Sequence, residues 1–245
     1  MIEDLLQTLK MYGALEFYSN MSSDDVTKEL LLTGLLKSEI ARRSNNALNR
    51  RLKYADFPYE REWGEIAYKK NPKIDFKKMK KLSSGDFINS KSNICMMGAP
   101  GLGKTHSLVS IGRDLCRKGI SVKCYTACDL VTMLEEAKVN HELSKIMKKV
   151  LKPQLLIIDE LGFVPFSENG ARLLFDVFSK RYETGSIAIT TNLSFNKWPQ
   201  VFGSIELTKA LIDRFTHRCE IYTFEGQSVR YTDSKASKTR HNKKE

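Results

Sequence analysis

Eight residues near the middle of the chain constrain its fold more than any other feature: Gly98-Ala99-Pro100-Gly101-Leu102-Gly103-Lys104-Thr105. They satisfy G-x-x-x-x-G-K-[ST] at every fixed position. Glycines at these places let a main chain wrap an anion with no Cβ in the way. Backbone N–H groups and the N-terminus of the next helix then face a phosphate. Lys104 is placed to reach β- and γ-phosphates, and Thr105 to set its hydroxyl on Mg²⁺. Such a loop needs a strand before it and a helix after it. Ile94-Cys95-Met96-Met97 supplies an apolar run of strand length, and the periodicity from about Lys104 to Arg117 supplies the helix.

The pattern continues through residues 93–222. Gly119 ends the helix, a strand follows over 120–125, and 129–138 is helical. Leu155-Leu156-Ile157-Ile158 is a fully apolar strand. Ala171, Leu174, Phe175 and Phe178 share one helix face, and 186–190 is another strand. Such alternation predicts an α/β fold with a parallel sheet covered on both faces. The Leu155 strand ends in Asp159-Glu160, so Asp159 is expected in the Mg²⁺ shell and Glu160 as the group that polarises the attacking water. Two adjacent acids lean toward hydrolysis, since a nucleotide switch needs only the first. Asn192, at the end of Ile187-Ala188-Ile189-Thr190-Thr191, could orient that water. Arg214 in Leu211-Ile212-Asp213-Arg214-Phe215 is poorly placed for its own nucleotide and could reach a neighbour's, with Arg218 as its competitor. Arg230 is a further cation that could close on the nucleotide.

Charge bears on the partner. Lys+Arg 40 against Asp+Glu 29 leaves +11, which favours a polyanion, nucleic acid first. The first sixty residues read as helical. Leu5, Leu9 and Tyr12 share one face, Ser22-Ser23-Asp24-Asp25 resembles an N-cap, and Val26, Leu30, Leu31, Leu35, Leu36 and Ile40 follow in register. Arg42, Arg43, Arg50, Arg51 and Lys53 lie together before Pro58, either as a solvated face or as phosphate contacts. Residues 61–81 are Lys-rich and belong on the surface as strap, linker or nucleic-acid contact. The sequence is therefore divided into a helical DNA-binding or oligomerisation region (1–60), a basic connector (61–92), an ATPase domain (93–231) and a disordered basic tail (232–245). Five cysteines among apolar residues, with no zinc spacing and no disulfide framework, point to the cytoplasm. No apolar run approaches the roughly 18 residues of a membrane helix, and the acidic start is no secretory signal.

At this point the residues resemble a family. From about Leu5 to Tyr231 the chain is similar to the IstB-like transposition helper ATPases, relatives of the DnaC-like helicase loaders in the AAA+ class. The likeness is carried by Gly98 to His106 (GAPGLGKTH), Leu155 to Pro165 (LLIIDELGFVP), Arg181-Tyr182-Glu183, Ile189 to Asn192 before Trp198, and Ile212-Asp213-Arg214. The N-terminal Leu35 to Arg43 and Ala55-Asp56-Phe57-Pro58 extend it. The resemblance implies a P-loop NTPase of AAA+ type with a small N-terminal helical domain. It implies an ATPase using ATP and Mg²⁺ that binds duplex DNA, oligomerises with ATP, and delivers target DNA to a transposase. It carries nucleotide-site roles to Lys104, Thr105, Asp159, Glu160, Asn192, Arg214 and Arg230, and selects His106 beside the loop glycines Gly98, Gly101 and Gly103. Two positions depart from the family pattern: Glu160, where many relatives have Asp, and the loose Gln227-Ser228-Val229-Arg230. A replicative helicase loader is the alternative, sharing the core but gripping a helicase protein. A small-molecule kinase would need a lid and a substrate pocket that no segment supplies.

Overall fold

The structure is a computed structural model that describes residues 2–20, 28–60, 63 and 75–226. The chain divides into two compact units, residues 1–53 and 54–245.

In the first unit, helices α1 (Ile2–Thr8) and α2 (Tyr12–Ser19) precede the long helix α3 (Lys28–Ala55), whose last residues belong to the second unit. The sequence predicts one helical face through Leu5, Leu9 and Tyr12, and the structure corrects this. Lys10 takes φ 55°, Met11 N–H donates to Leu6 O at 2.8 Å, and Lys10 N–H donates to Gln7 O at 2.9 Å. This double closure ends α1 with a left-handed residue and sends the chain off at an angle. Leu5 and Leu9 are then exposed, and Leu6, Ala14 and Leu35 form the small core with Met11, Leu15, Phe17, Tyr18 and Leu31 around it. Leu30, Leu36 and Ile40 lie outside that core and are exposed. A Cβ on Gly13 would sit 2.6 Å from Ser38 O, so only glycine allows α2 and α3 to approach this closely. The free N–H of Gly13, in the first turn of α2, donates to Glu39 Oε2 at 2.9 Å. Val26 and the Ser22-Ser23-Asp24-Asp25 cap lie outside the described residues.

The second unit begins with short helices α4 (Phe76–Lys81) and α5 (Asp86–Asn89). The lysines of α4 are exposed, while Met79, Leu82, Phe87 and Ile88 are buried. There follow β1 (Asn93–Gly98), α6 (Lys104–Arg117), β2 (Val122–Thr126), α7 (Ala127–Val139), α8 (Leu143–Leu151) and β3 (Leu155–Leu161). The unit continues through α9 (Glu168–Arg181), β4 (Ser186–Thr191), α10 (Pro199–Phe202), α11 (Ile205–Thr216) and β5 (Cys219–Phe224). The five strands are all parallel, in the order β2-β3-β4-β1-β5. Side chains alternate between the faces, as a pleat requires. Leu156 and Ile158 of β3 pack with Leu134, Leu174 and Phe178 on the α7/α9 side. Ile157 faces Gly112 of α6 on the other. The sheet is thus the α/β P-loop architecture with helices on both faces.

One buried cation ties the strand starts together. Arg181 is 1% exposed and donates to the carbonyls of Leu151, Pro153, Gln154 and Ser186 at 2.7–3.2 Å. Burial pulls its pKa down to about 10, which leaves it charged at neutral pH. All five cysteines are free thiols. Among the described residues, no helix is long and apolar enough to cross a membrane.

Candidate nucleotide site

The loop 98–105 links the C-terminal end of β1 to the start of α6, so it sits at the strand-end edge of the sheet. Gly98, Gly101 and Gly103 have φ of 148°, 78° and 91°, values that L side chains rarely adopt. At Gly98 the constraint is also steric, because a Cβ would lie 2.2 Å from Phe224 O on β5. Gly103 is the N-cap of α6 and offers no side-chain cap, so the first N–H groups of the helix are available to an anion. Lys104 is 9% exposed, and its Nζ donates to Gly98 O at 2.7 Å and Ala99 O at 2.8 Å. The loop's own carbonyls therefore hold the ammonium over its mouth. His106 follows in the same first turn, half-buried.

Two strands, β3 and β4, meet the first turn of α6 beneath the loop. Thr105 Oγ1 donates to Asp159 Oδ1 at 2.9 Å, and Thr190 Oγ1 on β4 donates to the same oxygen. Thr190 Oγ1 also accepts the Glu160 N–H at 2.9 Å. The pairing of β3 with β4 explains how adjacent acids point differently. Ile158 opposes Ile189 and Leu161 opposes Thr191, so β3 carries one extra residue here. Asp159 is 6% exposed and turned to the hydroxyls, while Glu160 takes φ 60° and is exposed.

A carboxylate beside a threonine hydroxyl is a hard-oxygen pair. It suits Mg²⁺, which takes one or two protein ligands and fills its other positions with water and phosphate oxygens. Among the described residues, no group of three or more His, Cys, Asp or Glu side chains could hold a metal ion. Burial pushes the thiols of Cys95 and Cys124 up to about 12, so neither is a nucleophile at neutral pH.

The sequence singles out Asn192 at the end of this strand, and the structure adds Thr190. The sequence shows a run of polar residues at a strand end, without revealing which of them turns toward Asp159. Thr190 does so. Asn192 lies just past β4, exposed and without a hydrogen bond among the described residues.

The other expected residues lie elsewhere. Arg214 is on α11, its guanidinium 5.2 Å from the centre of the Phe175 ring. Its Nη1 is buried with no hydrogen-bond partner among the described residues. A small cavity there is lined by Lys91, Asn93, Arg181, Tyr182, Arg214 and Arg218. Asn93 begins β1, and Arg218 immediately precedes β5, so this is the strand-start edge. It is about a strand's length from the loop, roughly 16–20 Å. Arg218 is exposed, its Nη1 donating to Ser90 O at 3.4 Å. Arg230 lies outside the described residues, as does the basic tail.

Of the cations on α3, Arg42 stacks 4.5 Å from the centre of the Tyr12 ring, and Arg43 Nε pairs with Glu39 Oε1 at 2.7 Å. Arg50 and Lys53 are exposed, and Arg51 is half-buried.

Comparison with known proteins agrees with this geometry. The family model for IstB-like ATP binding protein matches residues 3–237. A protein named for ATP binding in insertion sequence IS5376 of Geobacillus stearothermophilus is 32% identical over 214 residues, covering 87% of this chain and 85% of its own. Its counterpart in IS232 of Bacillus thuringiensis subsp. berliner is 32% identical over 235 residues, covering 93% of each chain. Among solved structures, the DnaC helicase loader aligns with a TM-score of 0.54 at 22% identity, covering 66% of this chain and 98% of that one. The replication initiator DnaA, bound to AMPPCP and single-stranded DNA, aligns with a TM-score of 0.54 at 20% identity, covering 70% of this chain and 52% of its own. At those identities the two structures establish the shared AAA+ fold.

Proposed function

The chain belongs to the IstB-like ATP binding protein family, and from that premise we propose that it is an ATP-dependent, DNA-binding regulator of insertion-sequence transposition. It oligomerises on target duplex DNA, hydrolyses ATP, and recruits or stimulates its transposase in the cytoplasm. The observation that carries the ATPase reading is the convergence of Thr105 and Thr190 on Asp159 beneath the loop, with Glu160 beside it.

Lys104 would hold the β- and γ-phosphates, and Thr105 with Asp159 would hold Mg²⁺, which when bound neutralises charge on the transferring phosphoryl group. Glu160 takes a proton from the attacking water as the new O–P bond forms. The bond to the bridging oxygen breaks, and ADP leaves. Thr190 fixes the backbone of Glu160 and the carboxylate of Asp159 together. Arg214 lies a strand's length from its own loop, which supports its acting on a neighbour's γ-phosphate and so supports an oligomer. The basic face of α3 supports contact with the DNA backbone. Helicase loading, the rival reading, shares this core and differs in the protein it grips.

Mixing tests the scheme. Lys104→Ala subunits lose ATP binding yet still offer Arg214, and Arg214→Ala subunits bind ATP but lack the arginine. Each alone should be inactive, and together on duplex DNA they should regain turnover. If mixed oligomers form and stay inactive, the trans assignment fails and Arg218 is tested next. Co-purification with a replicative helicase, and not with the transposase of the same element, would overturn the transposition reading.

A further inference from the structure

On the second unit, away from the nucleotide loop, the C-terminal end of α4 and the C-terminal end of α6 wall an open cleft of about 470 Å³. Its charged lining is Lys80, Lys81, Arg117 and Lys118 against Asp86 and Asp114. Both acids are engaged within the fold. Asp114 accepts from Trp63 Nε1, Ser83 Oγ and Arg117 Nη1, each at 2.8 Å. Asp86 accepts from Ser84 Oγ at 2.7 Å. Lys118 reaches Ser84 O at 3.3 Å, a long contact that leaves its charge uncompensated. Lys80 and Lys81 are exposed and make no ion pair among the described residues. Four cations thus face one opening against two carboxylates, of which Asp114 is paired with Arg117 and Asp86 is bonded to a neutral hydroxyl, so the lining carries a formal charge of +2. The cleft is open and polar, unlike a pocket for an apolar ligand.

We propose that this cleft is a second nucleic-acid contact, in which Lys80, Lys81 and Lys118 hold consecutive phosphates of a duplex backbone. It rests on the reading that duplex DNA is a partner, and it places a contact on the ATPase unit itself. Because α6 begins at the nucleotide loop and ends at the cleft, one rigid helix carries Lys104 at one end and Lys118 just past the other. The contact is with phosphates, so it positions the duplex without reading its sequence.

The test uses the full chain with Lys80→Gln, Lys81→Gln and Lys118→Gln combined, leaving Arg117 and its bond to Asp114 intact. Binding to a duplex of mixed sequence is measured across a salt series. Losing three phosphate contacts should flatten the log–log slope by about 2.7, a loss of roughly two to three orders of magnitude in affinity near 0.1 M salt. ATP affinity without DNA should be unchanged. A control combining Lys148→Gln, Lys149→Gln and Lys152→Gln removes the same charge from the exposed face around α8 and should leave the slope in place. An equal drop in the control would show only a diffuse field and overturn the site. An unchanged slope in the cleft variant, with a steep wild-type slope, would overturn the site while leaving the DNA-binding reading intact. A wild-type chain that binds no duplex would overturn both.

Discussion

Thr190→Val is the sharpest probe of the nucleotide site. Valine copies the shape of threonine and its fitness for a strand, and removes only the hydroxyl. That hydroxyl donates to the buried Asp159 carboxylate and accepts the N–H of Glu160. A hydrogen bond to a charged group contributes about 1.5–3 kcal/mol, and a partly buried N–H left unpaired costs about 1–3 kcal/mol. The two effects overlap on one atom, so a combined loss of about 2–4 kcal/mol is expected. For a chain of this size the melting temperature falls by about 2–4 °C per kcal/mol. Kinetically the loss should divide unevenly. Lys104 and the loop are untouched, so ATP should bind within about threefold of wild type. Glu160 loses its backbone anchor, so single-turnover hydrolysis should slow tenfold or more, where tenfold corresponds to about 1.4 kcal/mol. Thr190→Ser keeps the hydroxyl and should recover most of the rate. The reasoning is refuted if the valine variant melts within a degree or two of wild type and hydrolyses ATP at the wild-type rate.

Two further outcomes follow from local geometry. Gly98→Ala would drive a Cβ into Phe224 O, so β1 and β5 must separate. The expected cost is about 1–3 kcal/mol or more, with loss of ATP binding, and an unshifted thermal melt would contradict it. Glu39 is held below the usual carboxylate range, chiefly by the bond from Arg43 and also by the N–H of Gly13. A depressed folded pKa adds stability that is present above the unfolded value, near 4.5, and is lost as pH falls through the folded value. Glu39→Gln should therefore weaken the N-terminal helices at pH 7 and flatten their acid dependence, as followed by circular dichroism; parallel acid profiles would rule this out.

Much of the nucleotide site is legible in the sequence because its parts are local. The loop needs consecutive residues with fixed chemistry, and buried parallel strands need unbroken apolar runs such as Leu155 to Ile158. Turns closed without glycine leave no comparable trace. Lys10, Lys91 and His141 all take left-handed φ after helices, at positions where a reader looks for Gly. Hence the break between α1 and α2 does not show. The extra residue in β3 at Asp159-Glu160 is equally silent, since a bulge is a property of pairing with β4 and not of β3 alone. That Thr190 turns toward Asp159 depends on that same pairing. Arg181 reads as the charged end of an amphipathic helix. Only the sheet reveals that carbonyls from both neighbouring strand starts close around it.

The φ of +60° at Glu160 sets two demands on one position against each other. An L side chain in the left-handed region costs about 1–2 kcal/mol, which glycine avoids and asparagine partly avoids. Neither can accept a proton from water. Selection for thermal stability alone would therefore empty this position of its carboxylate, and with it the group proposed to polarise the attacking water. Keeping glutamate here means keeping a backbone conformation that glycine would adopt at lower cost.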